Sequence, residues 1–376
     1  MKALLKSNSA REILRIFTAV FVALVIGFVI TLLVSEEPVE AYRSFLLGPV
    51  SRFNRFGDWI EESLTLMLLG LAIAIVFKAQ IFSLGAEGQM AVGALVSGVI
   101  ALWAPLPIGL RIPVALIGGG VAGFLLGIIP GYLKAYLNAN EIVSTLMLNT
   151  IALKFYEYLL TYYIKSPTAG YTASDTFPTE GILPTWVPNL PFLESFRTMF
   201  VNQTNITVML YLVITSVIVV YYLMFRTPFG YELRILGSNI KFARYGGMNT
   251  KKAIMLATAV SGIFAGLAGT HLSMGIHTKL IINITAGLGF EGIVVALLAR
   301  NNPLFIPLSA LGYGYLRAGA DVMERSSDVS REMVLVIQAI IILLVTAERI
   351  FPEVKRRIQT RRENNAAVAT PSEPGS

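Results

Sequence analysis

Two carboxylates stand between glycines in apolar surroundings, in Leu84-Gly85-Ala86-Glu87-Gly88 and in Leu288-Gly289-Phe290-Glu291-Gly292. A charge near the centre of a bilayer costs at least about 2.5–3.5 kcal/mol, so in a membrane chain Glu87 and Glu291 must face protein or water. Glycine lets the backbone bend, and backbone freed by a broken helix is tolerated beside a cavity. Each glutamate therefore either lines a polar pathway or hydrogen-bonds the backbone of its own break. Asn149, in Leu146-Met147-Leu148-Asn149, is an amide that either bonds across helices or meets a polar solute. Intramembrane carboxylates also serve proton relays, so a secondary active transporter with proton coupling at Glu87 or Glu291 is one function class open to the chain.

Other chemistry is scarce. There are no cysteines, which excludes disulfides and thiolate metal sites, and two histidines, His271 and His277, leave little for zinc or histidine-based catalysis. No catalytic constellation, metal site or cofactor motif is expected, and no Gly-x-x-x-x-Gly-Lys-Ser/Thr phosphate cradle occurs. The expectation is a non-catalytic chain that passes something across a barrier.

The elements that must hold these residues follow from composition. Of 376 residues 55% are hydrophobic and 14% charged, against about 25% charged in a soluble domain. That excludes an ordinary water-soluble enzyme. Apolar stretches between charges and turn residues predict about ten spans, over residues 16–34, 63–77, 82–103, 113–133, 142–164, 206–225, 253–275, 284–299, 304–323 and 333–348.

The net charge of +7 reads as membrane topology rather than nucleic-acid binding. With the N-terminus inside, most basic residues fall on the inner side, from Lys2, Lys6, Arg11 and Arg15 to Arg356, Arg357, Arg361 and Arg362. The outer side keeps a minority, including Arg43, Arg52, Arg55, Arg111 and Lys165, while Lys154 and Arg317 fall within spans. Both termini are thus expected in the cytoplasm, at a plasma or inner membrane. The run from Ile16 to Val34 is too long for a signal-peptide core and is followed by Ser35-Glu36-Glu37-Pro38, so it reads as a retained anchor. Three divisions result: a basic cytoplasmic N-terminus, 1–15; a transmembrane domain, 16–348; and a polar cytoplasmic tail, 349–376, too poor in apolar residues to fold alone.

The glutamate motifs are followed by a second match. Ile112-Pro113 precedes Gly118 and Gly120, and Ile306-Pro307 precedes Gly312 and Gly314 at the same spacing. Two matches in order imply a duplicated unit of five spans. Because five is odd, the copies have opposite topology, as in inverted-repeat transporters. The fold expected is an all-α polytopic membrane protein of two inverted five-helix repeats.

Between the sixth and seventh spans lies a patterned cytoplasmic loop, 226–252. Ser238 or Asn239 can cap a short helix and Gly246-Gly247 can stop it. Phe242 and Tyr245 share a face, with Lys241 and Arg244 beside them, which fits either a groove on a soluble partner or the lipid headgroups. The loop, with Phe229-Gly230-Tyr231-Glu232-Leu233-Arg234 and Gly237-Ser238-Asn239 through Ala243-Arg244-Tyr245-Gly246-Gly247, resembles that of ABC-importer permeases of the branched-chain amino acid and ribose type. Leu84 to Gln89, Glu141 to Ala152 and Gly289 to Pro303 carry the same resemblance, nearest to the nucleoside or simple-sugar branch.

The resemblance implies that Gly237, Ser238, Asn239, Lys241, Phe242, Arg244 and Tyr245 couple to a partner ATPase. It places Glu87, Gln89, Asn149 and Glu291 at the substrate pathway. It also implies a second homologous permease subunit and an extracytoplasmic solute-binding lipoprotein, for which the extracytoplasmic loop 165–205 is a candidate docking surface.

Overall fold

The computed structural model describes residues 22, 24–33, 35–107, 109–167, 170–187, 198, 201–330, 332–336 and 339–340. The basic N-terminus, the polar tail, much of the first and last expected spans and part of the 165–205 loop lie outside the described residues. Among the described residues the chain is helical, with isolated bridges Ala173 to Ile281 and Thr185 to Thr207 and no strand.

The helices, in chain order, are α1 (Leu24–Leu33), α2 (Pro38–Leu47), α3 (Phe53–Lys78), α4 (Ala86–Trp103), α5 (Arg111–Leu137) and α6 (Glu141–Leu159). There follow α7 (Met209–Arg226), α8 (Pro228–Ser238), α9 (Ile240–Tyr245), α10 (Thr250–His271), α11 (Leu288–Leu298) and α12 (Ile306–Ser326). Both α6 and α10 run on into a π-helical turn, Leu160–Ile164 and Leu272–His277. Five helices are long and apolar enough to cross a membrane: α3, α4, α5, α7 and α10 with its π turn. The chain is thus a polytopic membrane protein.

Two compact units result. One comprises the described residues up to Gly48 and those from Leu316 onward; the other is Pro49–Tyr315. In the first, Ala41, Tyr42 and Phe45 of α2 pack with Ala320, Met323, Val329 and Val334. Tyr42 donates its hydroxyl proton to the Leu24 carbonyl at 2.6 Å. The Asp328 carboxylate accepts from the Ser35 hydroxyl and from the Glu36 amide, both at 2.6 Å. Those bonds, the Ser35 one foremost, hold its pKa below the ordinary aspartate value. The contact thus contributes at neutral pH and is lost as pH falls through that lowered value.

In the larger unit α3 is buried continuously from Ser63 to Phe77, a largely apolar stretch, as expected of a helix enclosed by others. Around it stand α10, α11 and α7, while α10 also packs on α4 and α5, and α6 packs on α4 and α5.

The closest packing joins α5 to α10. Gly119, Gly123, Gly127 and Gly131 lie four apart on one face of α5 and meet Thr258, Gly262 and Gly266 of α10. A Cβ added at Gly123 would lie 2.0 Å from the Gly262 carbonyl oxygen, and one at Gly262 would lie 2.1 Å from that of Gly123. Lipid tails are as apolar as leucine, so helices in a bilayer associate through close van der Waals fit, which small residues at this spacing permit. Gly93 and Gly269 extend the same contact between α4 and α10.

This predicts a contrast between two substitutions. Gly123→Ala should cost about 1–3 kcal/mol through overpacking and lower the thermal unfolding midpoint of the detergent-purified protein. Gly312→Ala, at an exposed site of α12 with nothing within 4 Å, should leave the midpoint unchanged or raise it.

Candidate functional site

The first glutamate motif begins where α3 has ended. Residues 81–84 run without helical structure and α4 starts at Ala86. The backbone groups freed there are taken up by α6. Asn149 Nδ2 donates to the Leu84 carbonyl at 2.7 Å, its Oδ1 accepts from the Gly88 amide at 2.9 Å, and the Thr145 hydroxyl accepts from the Leu84 amide at 3.1 Å. Asn149 is buried, and its amide is committed to bridging the first break to a neighbouring helix.

The second motif follows a longer irregular segment, Thr278–Gly287, in which Thr278, Asn283, Ala286 and Gly287 all have positive φ. Helix α11 begins at Leu288 with no capping side chain of its own. Its cap comes from the other motif. Glu87 Oε1 accepts from the Gly287 amide at 2.9 Å and Oε2 from the Gly289 amide at 2.6 Å.

The first amides of a helix have no partner within it and carry the positive end of its dipole. Glu87, itself in the first turn of α4, therefore places one carboxylate against the N-termini of two helices. Gly289 permits the approach, since a Cβ there would lie 2.5 Å from Glu87 Oε2. Of the two sequence-level alternatives for Glu87, backbone bonding is what the geometry displays, but to the break of the opposite motif rather than its own.

Gln89 lies two residues further along α4 and is buried, and its Oε1 has no hydrogen-bond partner. Glu291 is half-buried in the first turn of α11. The structure thus gathers Glu87, Gln89 and Asn149 around one break and sets Glu291 two residues beyond the Gly289 amide that Glu87 holds.

A further polar cluster escaped the sequence-level reading. His271, fully buried on α10, places Nε2 2.5 Å from Glu61 Oε2 of α3, and its Nδ1 lies 2.9 Å from the Thr65 hydroxyl. A carboxylate only accepts, so Nε2 carries a proton toward Glu61, while Nδ1 and the Thr65 hydroxyl share one hydrogen bond. The remaining Glu61 oxygen accepts from the Thr207 amide at 2.5 Å. The cluster ties α3 to α10 where α10 passes into its π turn. Glu61 was hidden in sequence by its amphipathic setting at the start of α3, and His271 by its isolation.

The segment 226–252 is two helices. Thr227 caps α8 through its hydroxyl, which accepts from the Gly230 amide at 3.2 Å. Of the two candidates for capping α9, Asn239 does so, with Oδ1 accepting from Lys241 and Phe242 amides at 3.0 and 3.1 Å. Gly246 ends α9, and Gly247 takes φ of 77°. Gly237 lies against the end of α3, where a Cβ would come 2.2 Å from the Lys78 carbonyl oxygen. Ser238 Oγ donates to the Ile235 carbonyl. Ala243 is buried under α9, whereas Phe242 is 60% and Tyr245 91% exposed, with Lys241 and Arg244 exposed beside them. A groove of about 540 Å³ opens next to α9, lined by Phe229, Glu232, Gly246, Gly247, Met248, Asn249, Lys252 and Leu256.

Two outcomes are expected. Glu87→Ala leaves two helix-terminal amides buried without an acceptor, about 1–3 kcal/mol for each such group, and should lower the thermal midpoint more than Glu87→Gln, which keeps one acceptor. In a double-mutant cycle, Glu61→Gln and His271→Ala should be non-additive by about 0.5–3 kcal/mol of unfolding free energy, as for residues in one network.

Known proteins bear on this geometry. The model of the branched-chain amino acid transport system / permease component family matches residues 56–346. The glucose ABC transporter permease protein TsgB13 of Haloferax volcanii is 29% identical over 350 residues, covering 93% of this chain and 91% of its own length. The guanosine ABC transporter permease protein NupP of Bacillus subtilis is 30% identical over 333 residues, 88% of this chain and 91% of its own. The nucleoside ABC transporter permease protein NupB of Lactococcus lactis subsp. cremoris is 27% identical over 345 residues, with 91% and 93% covered. No solved structure matches the chain. A polytopic chain with two glutamate-bearing helix breaks, matched by the family model from the start of α3 onward, belongs to the branched-chain amino acid transport system / permease component family.

Proposed function

We propose that the chain is the membrane-spanning permease subunit of an ATP-binding cassette importer for a small polar solute, a nucleoside or a simple sugar. The full-length likeness to permeases named for guanosine, nucleosides and glucose supports the solute class. ATP hydrolysis belongs to a separate ATPase subunit, and the permease itself is non-catalytic.

The observation that carries the reading is α9. A capped, stopped helix of six residues keeps Phe242 and Tyr245 in water although both are large and aromatic. An amphipathic helix presenting aromatic anchors with basic flanks is a recurring way to enter a groove on a partner. Gly237, Ser238, Asn239, Lys241, Phe242, Arg244 and Tyr245 form the coupling element, with the buried members setting its position and the exposed ones meeting the ATPase. An ion-driven carrier has no use for such an element, which favours the importer over proton coupling at Glu87 or Glu291.

In this reading the chain has about ten spans in two inverted five-helix repeats, with both termini cytoplasmic. The two glutamate motifs are then symmetry-related breaks that meet near the membrane midplane. Both open a helix after an irregular segment, and both are followed by a helix with Ile-Pro in its first turn. Glu87 and Asn149 shape the wall of the translocation path by fixing the breaks, while Gln89 and Glu291 turn polar groups toward it. A second homologous permease completes the path, and an extracytoplasmic solute-binding lipoprotein delivers solute to a surface that includes 165–205. Within that segment Ser166, Leu183 and Trp186 bond by their amides to Ala173, Met274 and Ile206.

Co-purification of the chain with its ATPase and second permease, reconstituted with the binding lipoprotein, tests the proposal. Guanosine or glucose should be taken up at the expense of ATP. Phe242→Asp should leave the subunit inserted but cut uptake by at least about tenfold, an effect equivalent to about 1.4 kcal/mol of coupling. Uptake driven by a proton gradient without the ATPase would defeat the reading.

A further inference from the structure

The irregular segment that follows the π turn of α10 is held at both of its ends. One end, Gly287 with Gly289, rests on the Glu87 carboxylate. The other end, residues 278–281, lies against the non-helical residues 173–177. There the Ser174 amide donates to the Leu280 carbonyl and the Phe177 amide to the Thr278 carbonyl, both at 2.9 Å. The Leu280 amide donates to the Ser174 hydroxyl oxygen at 2.9 Å, and Ala173 pairs with Ile281 as an antiparallel bridge. Ala173, Ser174 and Leu280 are buried. Leu280 is seated against α4, where a Cβ on Gly98 would come 2.7 Å from its side chain.

Tyr156 completes this junction from α6. It is buried, and its hydroxyl donates to the Ile281 carbonyl at 2.8 Å. Packing alone needs no hydroxyl, whereas a carbonyl outside any helix needs a donor. Tyr156 stands seven residues beyond Asn149, about two turns at 3.6 residues per turn, so the two share the packed face of α6. One helix face therefore holds the first break through Asn149 and the second through Tyr156. Glu87 closes the circuit by joining the first break to the second.

The chain around residues 173–177 is tied down further on. Glu180 pairs with Arg111 of α5 at 3.5 Å, and the Leu183 amide donates to the Met274 carbonyl of the π turn at 3.0 Å. Its other side is open: Tyr171, Asp175, Thr176 and Thr179 are exposed. Even this edge reaches the break segment, since Lys279 Nζ donates to the Tyr171 hydroxyl at 2.5 Å.

We infer that residues 173–177 and 278–281 form one rigid piece, that Tyr156 is its positioning residue, and that the piece carries a contact made at the exposed edge to the Glu87 junction. The contact is that of the extracytoplasmic solute-binding lipoprotein, a step that rests on the permease reading above. A displacement of the piece passes along residues 282–287, which bend through positive φ at Asn283, Ala286 and Gly287. They end on the amides that Glu87 holds. Tyr156 sets where the displacement starts, because α6 fixes it relative to the first break.

The chain has no cysteine, so an introduced pair can be read without background. The Ser174 to Leu280 bond flanks Ala173 and Ile281, and such facing residues lie about 4.5 Å apart at Cα, within reach of a disulfide. In the assembled importer Ala173→Cys/Ile281→Cys should oxidise to completion, at the same rate with and without ATP. The oxidised complex should keep the guanosine or glucose uptake of its reduced form. Incomplete oxidation, or uptake stopped by oxidation and restored by reduction, would show that the two stretches part and would overturn the rigid piece. Tyr156→Phe tests the relay. Its stimulation of ATP hydrolysis by the lipoprotein should fall at least about fivefold, with hydrolysis in the absence of lipoprotein unchanged. Stimulation equal to wild type overturns the positioning role. Oxidation needs no transport, so a wild-type complex that transports neither probe and ignores the lipoprotein, while the cysteine pair oxidises fully, would indict the permease reading and leave the rigid piece standing.

Discussion

Everything in the larger unit is arranged around one carboxylate. Two helices, α4 and α11, begin inside an apolar environment, and each beginning exposes amides with nowhere to bond. Water would normally take them, but at membrane depth an unpaired amide costs several kcal/mol. Glu87 accepts from the Gly287 and Gly289 amides of one break while standing in the first turn of the other helix. Its negative charge is set against two positive dipole ends, which is why a charge is affordable there. Asn149 closes what remains at Leu84 and Gly88. Gly289 is part of the same device, because any side chain there would separate the carboxylate from its donors.

The device requires that α3, α4, α10 and α11 be held in register by something other than the exclusion of water, which is absent in lipid. The glycine face of α5 against Gly262 and Gly266 of α10 supplies that register by contact at backbone distance. The Glu61–His271 pair with Thr65 and Thr207 adds a directional tie between α3 and α10. Shape fit and polar bonds thus substitute for the apolar collapse that would organise a soluble domain.

How much of this was legible beforehand differs from residue to residue. Apolar runs located α3, α5, α7 and α10, because length and hydropathy are local properties. The glycine-flanked glutamates were visible as anomalies, and Asn239 with Gly246 as a cap and a stop, because each depends on a few neighbouring residues. Partners were not legible: Glu87 meets an amide 200 residues away, and Glu61 meets His271 at a separation of 210. The spacing of four among Gly119, Gly123, Gly127 and Gly131 was available in the sequence, but two other glycines of that helix, Gly118 and Gly120, drew notice as part of the repeat. The start of α3 at Phe53, ahead of the apolar run from Ser63, was masked by Arg55, Asp58, Glu61 and Glu62.

The same elements connect the ends of the mechanism. Asn249, just after α9, caps α10 by accepting from the Lys252 amide, and α10 with its π turn continues unbroken to His277. The segment that follows is the one Glu87 holds. On the coupling role proposed above, a displacement imposed on Phe242 and Tyr245 at one end meets α10, whose sideways freedom is removed by the glycine face of α5. What such a helix transmits is motion along or about its own axis, delivered to Thr278–Gly287. There the chain has already left the helix, four of its residues occupy positive φ, and it is held by the Glu87 carboxylate at Gly287 together with bonds from the Tyr156 hydroxyl to Ile281 and between Ser174 and Leu280. A permease that opens and closes needs one element stiff enough to carry the stroke and one break soft enough to accept it, and α10 and the Glu87 junction are placed in that order along the chain.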